Sequence, residues 1–256
     1  MDKWFFIRYA DPEPHLRIRI LMKDDLYLGQ IMNLFYTKLN HFTNDHMIWK
    51  IQVDTYNREL ERYGNTLIEE AESIFYIDSE NMLSIIRKLN VYKNENYRWM
   101  VALKMMDYFL SDFSFDTVRK QQLMKTMSES FKMEFGFNQY NAKQFNSKFR
   151  ENKNVIESVL NKTITDEIFL TLCNPIESKL KKLTPVIKQL TEKIGKDKSG
   201  ITLNDLLTSY IHMMLNRLFR SKNRIHELIL YDFMYRYYTS EMAKQKYCSS
   251  EAKKKQ

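Results

Sequence analysis

The sequence predicts an α+β fold, a small mixed sheet near the N-terminus packed against a remainder that is predominantly helical. Three observations predict it. The first twenty residues alternate with a period of two, and the chain after Tyr56 carries apolar residues at helical spacing. Gly and Pro, which punctuate loops and strand-rich folds, number only five and four in 256 residues.

Trp4-Phe5-Phe6-Ile7-Arg8-Tyr9 and His15-Leu16-Arg17-Ile18-Arg19-Ile20 read as two strands joined by the turn Ala10–Pro14. On the second strand the alternation puts His15, Arg17 and Arg19 on one face and Leu16, Ile18 and Ile20 on the other. Leu26 to Leu39 follows at helical spacing (Leu28, Ile31, Leu34, Phe35, Leu39), and Met47 to Val53 reads as a third strand. Asn57 to Gly64 is a helical turn or two. Asn65 is placed to cap a helix through Ile68 and Ile74, and Asp78-Ser79 to cap the next, through Met82 and Ile86. Further helices are predicted over 98–110, 117–135, 142–160 and 203–220. No linker-like segment or internal repeat divides the chain, so residues 1–256 read as one domain, with a mobile loop at 191–200 and a disordered tail at 248–256.

The net charge of +8 is spread along the chain, with local runs only at 179–182 and 253–255. A solvated surface and a frayed tail account for both, which argues against a nucleic-acid groove and leaves a weak attraction to acidic peptides. The two cysteines, Cys173 and Cys248, are far apart and indicate neither a disulfide framework nor a zinc site. No secretory signal is present and no apolar run approaches the ~20 residues that span a bilayer. A cytoplasmic protein is expected, and no phosphate-binding glycine loop or nucleophile-elbow motif occurs.

Two arginines at strand spacing suggest a fixed anion, since guanidinium grips carboxylate or phosphate through a planar fork; an exposed edge strand gives the same periodicity. Arg58 and Arg62 share one face of their helical turn. Surface pairing with Glu59, Glu61 or Glu69 would explain them equally, at ~0.3–0.5 kcal/mol per pair. In the helix over 203–220, Leu203, Leu207, Tyr210, Met214 and Leu218 form the core stripe, while Thr208, His212 and Asn216, with Ser209 beside them, form a polar line. That line suits either a wetted cleft or a buried hydrogen-bonded network. His15 reads as a hydrogen-bonding partner of the arginine row or the turn, His41 and His46 as surface residues, and His226 and Glu227 are open to either reading.

Several blocks, taken in order, carry a resemblance: 4–9 with 11–19, Tyr56-Asn57-Arg58-Glu59-Leu60-Glu61-Arg62-Tyr63-Gly64, Ser73 to Ser79, and Ser209-Tyr210-Ile211-His212-Met213-Met214-Leu215-Asn216-Arg217-Leu218-Phe219. The chain resembles the C-terminal elimination domain of lantibiotic dehydratases, a family that includes stand-alone thiopeptide-type bacteriocin biosynthesis proteins. The likeness runs from Lys3 to about Tyr238 and is loose between Leu89 and Leu203. It implies a lyase that removes glutamate from glutamylated Ser or Thr of a ribosomal precursor peptide, leaving dehydroalanine or dehydrobutyrine. A separate glutamyl-tRNA-dependent protein would install the glutamyl group. The resemblance implies that Arg19 and Arg58 act at the reacting glutamyl ester, with Arg17, Arg62 and His15 binding substrate and His212 transferring a proton as base or acid. No metal or organic cofactor is required, because a carboxylate is already a competent leaving group. Related domains carry a strand and a helix ahead of the Trp-Phe-Phe-Ile-Arg-Tyr block. Here either another polypeptide supplies that element, the sheet closes differently, or the domain is a truncated remnant. Two alternatives stay open: a pyridine-forming thiopeptide macrocyclase, and a non-catalytic leader-binding or scaffold subunit of a synthetase complex, homo- or hetero-oligomeric.

Overall fold

The computed structural model describes residues 2–196 and 199–254, with side chains described except at 180 and 248–254. Two strands, β1 (Lys3–Tyr9) and β2 (His15–Leu21), form an antiparallel hairpin in the register Phe5↔Arg19, Ile7↔Arg17 and Tyr9↔His15. After a 3-10 turn at Asp25–Tyr27 come α1 (Leu28–Asn44), α2 (Leu60–Tyr63), α3 (Ile68–Tyr92), α4 (Asn96–Asp112) and α5 (Thr117–Glu134). The chain continues through α6 (Gln139–Leu160), α7 (Glu167–Ser178), α8 (Leu180–Ile194), α9 (Leu203–Leu218) and α10 (Asn223–Lys254). The α+β expectation holds, with the sheet reduced to one antiparallel pair.

The expected third strand does not form: residues 47–53 carry no regular structure. The run pairs with neither strand of the hairpin, and the edge of β1 is already taken. Phe6 and Arg8 point their backbone groups away from β2, and side chains of α3 and α9 take them. The Phe6 N–H donates to Ser79 Oγ (3.3 Å), while Arg217 Nε donates to the Phe6 carbonyl (2.8 Å). Asn216 clasps Arg8, accepting from its N–H and donating to its carbonyl, both at 2.8 Å. Side chains thus do what a neighbouring strand would do, satisfying groups that are costly to leave unpaired.

The expected helix start at Asp78-Ser79 is also absent, since α3 runs through both. Asp78 and Ser79 are buried and spend their side chains on tertiary partners, Asp78 pairing with Arg217 at 3.1 Å. Arg217 is fully enclosed, and burial holds its pKa below the usual arginine value. Such a pair costs desolvation and repays it only with good geometry, so removing either partner is far worse than removing both.

At the centre lies α4, apolar nearly all round, with Val101, Ala102, Leu103, Met106 and Leu110 inaccessible. Around it pack α6, α7, α8, α9 and α10, and α5 runs antiparallel to α10, fastened by Lys132–Asp232 and by Gln121 to Thr239. Asp116 and Thr202 cap α5 and α9, the latter in a reciprocal box with Asp205. The α8 helix continues to Ile194, into the stretch read as a loop, whose positions 197 and 198 lie outside the described residues. Likewise α10 enters the stretch read as a tail, with 255–256 and the Cys248 side chain outside them. Cys173 is buried, and burial pushes its thiol up to about 12.

Candidate functional site

The hairpin carries its arginine row on the face it shares with Phe5 and Ile7, with Arg19 half-buried against the body and Arg17 in solvent. Because paired residues in an antiparallel ladder share a face, Arg17 and Arg19 lie on the side of Ile7 and Phe5, both buried. On the aliphatic face Leu16 and Ile18 are in solvent, at 55% and 41% exposure, and Ile20 is half-buried. Period two identifies the two faces but does not say which one faces inward.

Along the row, Tyr9, His15 and Arg17 form a stack at the sheet's end. The Arg17 guanidinium lies 3.8 Å from the Tyr9 ring centroid, and the His15 ring stacks on Tyr9. Arg17 Nε donates to His15 Nε2 (3.1 Å), and His15 Nδ1 donates to the Glu13 carbonyl (2.7 Å), so His15 holds Arg17 as a neutral imidazole. Arg19 is different. Its Nε is buried without a hydrogen-bond partner, and its guanidinium sits 5.1 Å from the Tyr56 ring centroid. Neither Arg17 nor Arg19 has a salt bridge among the described residues. A buried guanidinium N–H left unpaired is costly, and a bound carboxylate would satisfy it.

The block over 56–64 folds against this row. Gly64 ends α2 at φ +78°, a conformation glycine adopts without strain. The resulting turn delivers Tyr63 into the core, stacked on Tyr210 of α9, and leaves Arg58 and Arg62 half-exposed. Arg58 Nη2 donates to Glu72 Oε2 at 2.9 Å, from a carboxylate almost wholly buried on α3. Tyr56 lies beside the same carboxylate, and burial together with Glu72 pushes its phenol pKa well up, so Tyr56 stays a neutral donor. Arg62 Nε donates to Ser209 Oγ at 3.1 Å, with Glu59 at 3.7 Å from its Nη1. Of the four guanidinium groups only Arg58 and Arg62 are paired with carboxylates, Glu72 and Glu59, leaving the cluster positive.

Ser209, His212 and Asn216 lie on one line of α9, and each is committed differently. Ser209 takes Arg62, Asn216 takes the backbone of β1, and His212 between them turns to α10. His212 Nδ1 donates to both oxygens of Glu227 at 3.0 Å. Glu227 is fully buried, also accepts from Tyr231 Oη at 3.2 Å, and has Arg224 at 3.6 Å. Buried Glu227 fixes which ring nitrogen carries the proton, and the other, Nε2, is available on a side chain 28% exposed. No hydrogen bond or ion pair joins His212 to the arginines among the described residues. The link runs through α9, which binds α2 one turn before His212 and β1 one turn after it.

Three partners were not foreseen as such. Glu227, left open in the sequence, holds His212, and Glu72 holds Arg58; both are acids on apolar helical stripes, Glu227 one turn before Tyr231 and Glu72 one turn after Ile68. Asn216 serves the sheet rather than a cleft. The interior cavity lined by Phe75, Asp78, Lys179, Tyr210 and Arg217 holds none of the predicted site residues. Among the described residues no group of three His, Cys, Asp or Glu is placed to hold a metal, and no helix is long and apolar enough to cross a membrane.

A two-stranded arginine hairpin is thus clasped edge-on by a helical body that also presents a histidine held by a buried carboxylate. The family profile described as the C-terminal part of lantibiotic biosynthesis dehydratases matches residues 1–238, and the chain belongs to that family. It is 36% identical over 92 residues to the nisin biosynthesis protein NisB of Lactococcus lactis subsp. lactis, covering 34% of this chain and 9% of that protein. It is 24% identical over 224 residues to the epidermin biosynthesis protein EpiB of Staphylococcus epidermidis, covering 86% of this chain and 20% of that one. Its fold matches the tRNA-dependent lantibiotic dehydratase MibB from Microbispora sp. 107891 at a TM-score of 0.68 and 18% identity, over 96% of this chain and 25% of that chain. The chain therefore spans a quarter or less of these relatives.

Proposed function

We propose that this chain is the glutamate-eliminating part of a lantibiotic-type dehydratase, acting on Ser or Thr side chains of a precursor peptide already esterified by glutamate. Loss of the Cα proton of the esterified residue supplies the electron pair of the new Cα=Cβ bond. The Cβ–O bond breaks and glutamate departs as a carboxylate, leaving dehydroalanine or dehydrobutyrine. The observation that carries this reading is Arg19, a guanidinium with a buried, unpartnered Nε, set in a cluster of cations that outnumber their acids. A glutamyl carboxylate bound there would complete the Arg19 hydrogen bonds, and the surrounding positive charge would favour an enolate-like transition state. Arg58, tethered by Glu72 through one nitrogen, keeps further N–H donors, and Arg62 and Arg17 extend the positive surface.

His212 supplies proton transfer. Glu227 accepts from Nδ1, so Nε2 is the atom that exchanges a proton with substrate. The reading calls on no cofactor. The test is to give the purified protein a glutamylated precursor peptide and record mass spectra with free glutamate. The expected result is a peptide lighter by one water per site than the unmodified one, with glutamate released. His212→Asn, unable to titrate near neutrality, should leave the glutamyl adduct intact at an unchanged melting temperature. An adduct untouched by the folded wild-type protein would sink this reading.

A further inference from the structure

Two buried atoms of opposite character stand open in the arginine cluster. Glu72 lies on the buried stripe of α3 that includes Ile68 and Phe75, with 7% of its surface exposed. Its Oε2 accepts from Arg58, while its Oε1 is buried and accepts from no group among the described residues. On β2, Arg19 Nε is buried and donates to none. Tyr56 adjoins both residues: the Arg19 guanidinium lies 5.1 Å from its ring centroid, and its phenol lies beside the Glu72 carboxylate. An arginine and an acid that adjoin one ring would be expected to pair if their role were to hold the fold, because a buried charge short of partners is costly. Among the described residues no ion pair joins them, and each keeps an open atom.

An open donor and an open acceptor together fit a ligand that carries both charges. The glutamyl ester is such a ligand. A glutamyl group delivered from its tRNA ester is linked through the α-carboxyl, so it keeps a γ-carboxylate and, a few bonds away, a free α-ammonium. The carboxylate suits Arg19. The ammonium, entering the same cluster, is repelled by Arg17, Arg19, Arg58 and Arg62 and attracted by two acids. Glu59 is half-exposed and turned to Arg62, whereas Glu72 is the buried acid with an oxygen to spare, where a charge-assisted hydrogen bond is least weakened by water.

We propose that Glu72 Oε1 binds the α-ammonium of the glutamyl group, so that the free amine is required for recognition and glutamyl esters are separated from esters of dicarboxylic acids that lack it. The proposal rests on the elimination reading. Arg58, with a side chain 40% exposed and held to Glu72 through one nitrogen, turns aside to admit the ammonium and stays within reach of the γ-carboxylate. In the bound state every charge has a counterpart, the ammonium on Glu72 and the carboxylate on the arginines.

The test compares two precursor peptides esterified at the same Ser, one with a glutamyl group and one with a glutaryl group, which keeps the distal carboxylate and lacks the amine. The wild-type protein should show a KM about tenfold or more higher for the glutaryl peptide. In Glu72→Gln that gap should close, and the intrinsic difference between the two leaving groups cancels when the two ratios are compared. Arg58→Ala, which leaves Glu72 in place, should slow both peptides and keep the gap. Equal KM values in the wild-type protein, a loss in Glu72→Gln that falls equally on both peptides, or a gap that disappears with Arg58 and not with Glu72 would each overturn the proposal and reduce Glu72 to an anchor for Arg58. None of these touches the elimination reading, which fails only if the folded wild-type protein leaves the glutamyl ester itself intact.

Discussion

Replacing Glu227 by Gln tests whether the His212 pair is a proton-transfer device or a packing detail. Glu227 lies at zero exposure and serves His212 Nδ1 through two 3.0 Å contacts, with Tyr231 Oη at 3.2 Å. Gln preserves the shape and removes the charge. Its single carbonyl oxygen accepts from either His212 or Tyr231, while its NH₂ turns the Tyr231 hydroxyl from donor to acceptor or forces the imidazole into the other tautomer. A charge-assisted hydrogen bond to a buried carboxylate contributes about 1.5–3 kcal/mol, and each ~1.4 kcal/mol is tenfold in rate. A kcat roughly 10- to 100-fold lower is expected at nearly constant KM, because Glu227 is shielded from substrate by the histidine. The assay is single-turnover glutamate release, paired with nitrogen NMR of the His212 ring, whose proton should leave Nδ1 for Nε2 in the variant. A Glu227→Gln protein with wild-type kcat and an altered ring tautomer would refute the reasoning, since it would show that the orientation of His212 does not matter to the chemistry.

Arg19→Ala and Arg58→Ala should each cause glutamylated peptide to accumulate at unchanged melting temperature, with a loss of about 2–3 kcal/mol, tens- to hundreds-fold in rate, read by mass spectrometry. Wild-type rates in both would make them surface arginines. Asn216→Ala strips both partners from Arg8 in β1, costing about 1–3 kcal/mol, or about 2–4 °C in Tm for each kcal/mol, by calorimetry. Burial raises the Asp112 pKa from 3.8 to about 6, so the fold disfavours its ionised form, and stability from this group is present at acid pH and lost as pH rises from about 4 through 6. Asp112→Asn should therefore raise Tm at pH 7 and leave it nearly unchanged at pH 3.5, and a larger gain at acid pH would reverse the sign.

Local periodicity alone determined much of this protein. The hairpin, α4, α5, α6 and α9 follow from spacing that any chain with these side chains would show, and the arginine and histidine blocks are legible because their residues are close in sequence. Tertiary structure decided the rest. The two faces of β2 are equivalent to a period-two pattern; only the packing of β1 on α3 turned Arg19 inward, while Arg17 stays in solvent. The run over 47–53 has the composition of a strand, but strand pairing is a contact between distant segments; Ser79, Asn216 and Arg217 occupy the edge of β1, and the fold does not bring 47–53 into pairing with β2. Asp78-Ser79 has the composition of a helix cap, yet a buried Arg217 and an orphan N–H on β1 recruit both side chains from 139 and 73 residues away. Likewise Glu227 and Glu72 acquire a role only through what the fold sets against them, His212 from the next helix and Arg58 from the preceding turn. Sequence spacing reports which face a residue shares; what that face meets is fixed by long-range packing, and the candidate site is made almost entirely of such meetings.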